Sequence, residues 1–320
     1  MSIDIQKLVA ALKRKREAEG LSIRKLSAVI GVSFSTLARI ERRDGEPDNN
    51  SILRILEWLG VEGRNSGLTF ENVAFVHFRA AKNANSRTIQ CLLQAADILK
   101  RKYDVQTYVP LPSESGDSTS SEMQSRAMAL SKPEMEKMAR QFRKELGLMD
   151  SSPLEALAIS IEGVDVFVPT QISELSEKCL RHLTKTGSQE WSAMSVPLDF
   201  DGNRWAILRN VQHSVERQRV TYLEECWHIL LGHKLTKIAR VAEAYGRTFE
   251  SSEEHDAFYL ASASLLPDKA VINCVNNGKL SAHIGEQFGV SPELVEYRIK
   301  RLGLWRKFKG LEVRLSTDAG

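Results

Sequence analysis

Residues 224 to 228 read Glu-Glu-Cys-Trp-His, inside the run RQRVTYLEECWHILLGH. Carboxylates and imidazoles hold divalent cations, and their spacing decides whether two of them can serve one ion. Val220, Leu223, Trp227, Leu230 and Leu231 mark an apolar helix face. On such a helix Glu224 and His228 lie one turn apart on one side and can aim at one ion. Glu225 is rotated from Glu224 by about 100°, which suits it to a bound water rather than to the ion itself. This is the geometry of H-E-x-x-H, where two histidines hold zinc and the glutamate between them is a general base, with Glu224 in the first histidine's place.

The elements that must position these residues come from a chain of 320 residues, long enough for two or three domains. With 42% hydrophobic and 27% charged residues its composition is that of an ordinary globular protein. No apolar run approaches the roughly eighteen residues of a membrane span. The start MSIDIQKLVAALKRKREAEG lacks a signal peptide's apolar core, so a cytoplasmic protein with no membrane partner is expected. The four cysteines, Cys91, Cys179, Cys226 and Cys274, show no C-x-x-C pairing; neither a disulfide framework nor a cysteine zinc site is suggested, and reduced thiols are expected. A net charge of +3 is too small to argue for nucleic acid by itself, so local charge must carry that point.

Composition divides the chain into residues 1–62, amphipathic helical patterns with basic clusters; 63–131, a linker, a strand-like FENVAFVHFRA, a helical SRTIQCLLQAADILKRKYD and a serine-rich stretch read as a mobile loop; 132–310, a continuous folded region; and a tail, 311–320. In the third part the pattern gives a helix over KPEMEKMARQFRKELGL, a second helix with a strand-like end over SPLEALAISIEGVDVFVP, strands around AMSVPLDF and RWAILRN, then helix to about residue 305. The expected class is mainly α with a small β-sheet, α+β.

In LSIRKLSAVIGVSFSTLARIERRDGEPD, apolar Leu26, Val29, Ile30, Val32, Leu37 and Ile40 fit two helices broken at Gly31, a turn position that needs positive φ. Ser33 is placed to cap the second helix. The result is a helix-turn-helix, and with the flanking LVAALKRKREAEG and SILRILEWLGV it closely resembles the Cro and lambda-repressor type, a lambda-repressor-like helical domain. That resemblance implies double-stranded DNA as partner, with Ser33, Phe34, Ser35, Thr36 and Arg39 toward base edges and Arg24, Lys25, Arg42 and Arg43 toward phosphates. Ile23 stands where the family often has a glutamine, so one common contact is absent. A homodimer is expected, because one such module is weak on one half-site.

ILRNVQHSVERQRVTYLEECWHILLGH followed by SSEEHDAFYLASASLLP, together with FRAAKNANSRTIQCLLQAADILKRKYDV, resembles the ImmA/IrrE family of metallopeptidases over roughly residues 70 to 305. The resemblance implies a zincin-like domain, with Glu224 and His228 as metal ligands, Glu225 in the catalytic position and Asp256, directly before Ala257, as third ligand. Glu253 and Glu254 stand close enough to replace Asp256 if the register shifts, and His233 is expected to be structural. Two carboxylates and one imidazole can hold zinc, and their hard oxygens also suit manganese or magnesium. Their negative charge weakens the ion as a Lewis acid. A third segment, KLSAHIGEQFGVSPELVEYRIKRLGLWRKFKG, has helix-turn-helix proportions with Arg298, Lys300 and Arg301 on its second helix, which opens a second DNA contact.

Three functions follow as expectations. One is a sequence-specific transcriptional regulator whose carboxy-terminal domain senses a signal or partner. The second is a metal-dependent endopeptidase that cleaves a repressor or other partner protein, as in phage-type and stress-response derepression. The third is a phage-immunity or toxin-antitoxin component without chemistry.

Overall fold

The computed structural model describes residues 4–68, 71–80, 85–103, 130–199, 203–233, 235–241, 244–247 and 251–311. The serine-rich stretch lies outside the described residues.

Five helices come first: α1 Ile5–Ala18, α2 Ile23–Ile30, α3 Phe34–Arg42, α4 Asn49–Leu59 and α5 Val61–Asn65. Leu8, Leu12, Leu26, Leu37, Leu53 and Leu56 meet in their common core. Gly31 ends α2 in the left-handed region at φ 67°, as the turn requires, and Ser33 Oγ accepts the Thr36 amide at 3.1 Å to start α3. Arg16 of α1 holds Glu41 of α3 through both Nε and Nη2.

The second region is built on a six-stranded sheet. Its members are β1 Glu71–Ala80, β2 Val164–Phe167, β3 Trp191–Pro197, β4 Trp205–Arg209, β5 Thr236–Val241 and β6 Ala244–Arg247, in the spatial order β2-β4-β3-β1-β5-β6. β1 pairs antiparallel with both β3 and β5, while β2 runs parallel to β4. α6 Ser86–Lys102 packs on the sheet, where Leu92, Ala95 and Leu99 meet Trp191, Met194 and Leu208. The strand-like and helical pieces read in residues 63–131 are thus a central strand and its covering helix.

α7 Lys132–Glu145, α9 Val215–Leu230, α10 Ser251–Leu265, α11 Asp268–Asn276, α12 Ser281–Phe288, α13 Pro292–Arg301 and α14 Trp305–Phe308 form the other layer, with α8 Glu177–Arg181 beside α6. Leu223, Trp227, Leu260, Val271, Ile284, Phe288 and Ile299 share its core. A buried polar cluster ties this layer together: Arg298 donates to both carboxylate oxygens of Glu136 at 2.6 Å and to the Leu266 carbonyl at 2.9 Å, and the Tyr259 hydroxyl also donates to Glu136 at 2.6 Å.

Three expectations need correction. The helix expected from residue 153 is a single 3-10 turn, Ala156–Ala158, after which the chain runs to β2; the Ile159 carbonyl accepts the Tyr222 hydroxyl of α9 at 2.8 Å. The stretch expected as helix after residue 233 contains β5 and β6, which extend the sheet beyond β1. Cys91 of α6 and Cys179 of α8, expected as reduced thiols, form a disulfide with Cα atoms 5.1 Å apart; Cys226 and Cys274 are buried free thiols. Packing of α8 on α6 supplies that proximity, which a separation of 88 residues does not reveal.

Candidate metal centre and DNA-binding face

Helix α9 is buried on all sides along its middle because it runs between the sheet and α10. Glu224 is 1% exposed, Glu225 1% and His228 4%. Burying ionisable groups in one helical turn is costly unless charge or coordination compensates them. Glu224, His228 and Glu254 of α10 each turn one ligand atom into a group within 4.8 Å of one another, and His228 Nε2 lies 3.8 Å from Glu254 Oε1. Two carboxylates and one imidazole at this spacing are a donor set that fits a divalent cation such as zinc or manganese.

The third member of that group is Glu254 rather than Asp256, the residue expected in this role. Asp256 is buried two positions further along α10, where its Oδ2 accepts the Leu130 amide at 3.3 Å. Its charge is felt by His233, whose pKa burial nevertheless holds below the usual histidine value. His233 Nδ1 in turn lies 2.9 Å from His228 Nδ1, the rings meeting nearly edge to face at 74°. His233 therefore holds the His228 ring by Nδ1, with Nε2 toward Glu254. Partners of this kind set the tautomer and orientation of ligating histidines.

Glu225 points to the sheet. Its Oε2 accepts a hydrogen bond from Ser195 Oγ on β3, and both residues are buried. Sequence reasoning missed Ser195, because nothing local to AMSVPLDF relates it to α9. Cys226 faces Ile207 and Tyr222, and burial pushes its thiol up to about 12, so it stays neutral. The two arginines before the site have separate tasks. Arg217 donates to Ser192 Oγ at 2.8 Å, while Arg219 donates to the Gly289 carbonyl at 2.7 Å and pairs with Glu155.

That contact docks the carboxy-terminal helix-turn-helix-like segment, α12 and α13, on α9. Gly289 makes its turn at φ 64°, yet the turn is docked on α9 and Arg298 is fully buried. The first half of α13 presents Glu293 and Glu296, which repel phosphates. The turn and Arg298 thus belong to the core layer, while Lys300 and Arg301 at the end of α13 stay exposed.

In the amino-terminal domain the expected DNA face is open. Ser33, Phe34, Ser35 and Arg39 of the second helix are exposed and Thr36 is half-buried, with Arg24, Lys25, Arg42 and Arg43 exposed around them. Ser33 spends its hydroxyl on the cap and on Ser35 and Thr36. Phe34 is 48% exposed beneath the Arg24 guanidinium, which lies 5.7 Å from the ring centroid. Arg43 ends α3 at φ 60°, and Arg42 Nε donates to the Ala38 carbonyl.

Residues 12–64 match the family model described as helix-turn-helix, and residues 188–300 match that described as the IrrE N-terminal-like domain of the peptidase M78 family. The chain joins a Cro/C1-type helix-turn-helix to an IrrE-like domain. No curated protein and no solved structure matches it in the corresponding searches. The IrrE match takes in β3, β4, α9, β5, β6 and α10 to α13, and so includes every member of the Glu224, His228 and Glu254 group. The helix-turn-helix match supports a DNA-binding regulator that acts on double-stranded DNA, and the IrrE-like domain is related to metal-dependent proteases. Among the described residues no helix is long and apolar enough to cross a membrane.

Proposed function

We propose that this chain is a sequence-specific transcriptional regulator, acting as a homodimer, whose IrrE-like domain senses a signal and alters the DNA-bound state. One observation carries the reading. Helix α4 of the DNA-binding domain packs against β5 and β6, and β6 leads along the chain to α10, which holds Glu254. On its other side α4 sends Arg54 to the Ile30 carbonyl at the end of α2, beside the Gly31 turn that sets α3. A shift of α10 on filling or emptying the cation site would thus be passed along the chain to β6 and, across its contact with α4, toward the DNA-reading helix. Glu224, His228 and Glu254 would hold the cation, with His233 orienting His228. The bound ion would supply charge that draws the two helices together.

The test is duplex binding to the gene's own upstream region, with and without divalent cation, for wild type, Arg39→Ala and Glu224→Ala. Arg39→Ala is expected to lose about 1–3 kcal/mol of discrimination at one base position, and Glu224→Ala to lose the response to cation. Failure to bind any genomic DNA would sink the reading.

Glu225, adjacent to Glu224 and held by Ser195, favours a second reading: an endopeptidase that cleaves a partner protein such as a repressor. The ion would polarise a peptide carbonyl or acidify water, and Glu225 would take the proton. Cleavage of candidate repressors that survives Glu225→Gln would exclude this mechanism.

A further inference from the structure

Residues 297–311 read YRIKRLGLWRKFKGL, with six cationic side chains and no carboxylate. Arg298 is withdrawn into the core against Glu136. The other five, Lys300, Arg301, Arg306, Lys307 and Lys309, are exposed at the last turn of α13 and along α14. Among the described residues none of the five is paired with a carboxylate. Like charges this close repel one another, so the fold spends stability on keeping them together.

Aromatic rings hold three of them in place instead. Lys300 Nζ lies 4.2 Å and Lys309 Nζ 4.7 Å from the centroid of Trp305, and the Arg301 guanidinium lies 5.1 Å from that of Tyr297. A ring face orients a cation without neutralising it, which leaves a preorganised positive surface. Tyr297, Trp305 and Phe308 are half-buried against the core and carry cations on their open faces. They are thereby occupied as supports, which disfavours both insertion into lipid and stacking on unpaired bases.

We propose that the end of α13 together with α14 is a second nucleic-acid site, which binds the phosphate backbone of duplex DNA without reading sequence and adds affinity to that of the amino-terminal helix-turn-helix. Each phosphate neutralised releases counterions, so each contact has a measurable salt signature.

The test is fluorescence anisotropy of the full chain on a random-sequence duplex across a salt series. Arg306→Gln/Lys307→Gln/Lys309→Gln is compared with wild type and with the charge-conserving Arg306→Lys/Lys307→Arg/Lys309→Arg. The neutral variant is expected to show a salt slope shallower by about 3, and therefore a loss between 50 and 200 mM salt about 40-fold smaller than that of wild type. The conservative variant should keep the wild-type slope, and the preference for an operator over random sequence should be unchanged in all three. An unchanged slope in a neutral variant with wild-type circular dichroism overturns the proposal. So does a neutral variant that loses binding to phosphatidylserine vesicles while its DNA slope stays the same. Because the duplex is random, loss of operator preference in Arg39→Ala bears on the amino-terminal domain alone and does not mimic either result.

Discussion

Replacing Arg298 by methionine removes the cation that is hydrogen-bonded to the buried Glu136 carboxylate. Arg298 is fully buried and makes three hydrogen bonds, two to Glu136 at 2.6 Å and one to the Leu266 carbonyl at 2.9 Å. Methionine fills much of the same volume but leaves Glu136, itself 9% exposed, with the Tyr259 hydroxyl as its remaining donor. Breaking a buried pair from one side costs about 3–5 kcal/mol, because the surviving charge has lost its compensation. Replacing the whole cluster with apolar residues, Glu136→Leu/Tyr259→Phe/Arg298→Met, should recover most of that loss. Urea unfolding followed by circular dichroism reads both variants. Acid adds a second check. Burial alone would raise the Glu136 pKa, but the bidentate Arg298 outweighs it and holds the carboxyl below its usual 4.5. The stabilisation is thus complete above that value and disappears as pH falls through the lower folded value. The triple variant should lose this part of the acid sensitivity. A single variant within about 1 kcal/mol of wild type, or a triple variant no more stable than the single, refutes the assignment of the cluster as a compensated charge pair.

Calorimetric titration with manganese or zinc separates the two α10 carboxylates: Glu254→Gln should weaken binding by more than about 100-fold, whereas Asp256→Asn, which acts through His233, should cost about tenfold. Ser33→Ala removes the cap of α3 and should lower the stability of the amino-terminal domain by about 1 kcal/mol in thermal unfolding. Alkylation of the unfolded, unreduced protein should label Cys226 and Cys274 and spare Cys91 and Cys179, which become reactive after reduction; labelling of all four without reductant would remove the disulfide.

The helix-turn-helix was readable because its signals are local. Gly31, the Ser33 cap and the apolar spacing of Leu26, Ile30, Leu37 and Ile40 all act within about two helical turns. Glu224 and His228 were readable for the same reason, since four residues along one helix fix their alignment. The third member of the group was not, because Glu253, Glu254 and Asp256 all lie on one helix and the packing of α10 on α9 chooses among them. Ser195 and His233 gain their roles only from tertiary contact. β5 and β6 are short, and their pairing with β1 and with each other decided what the local pattern left to helix.

The strand order has a consequence for how the chain can be divided. β1 and α6 precede residues 104–129, whereas every other strand follows them, and β1 is hydrogen-bonded on both sides by β3 and β5. A protease cut between residues 104 and 129 would sever the backbone without separating the products. The amino-terminal fragment would carry the DNA-reading helix and still donate the middle of its companion's sheet, with Cys91 and Cys179 as a covalent clasp across the nick. Conversely, an excised piece beginning at residue 132 would expose the open edges of β3 and β5, a template for self-association.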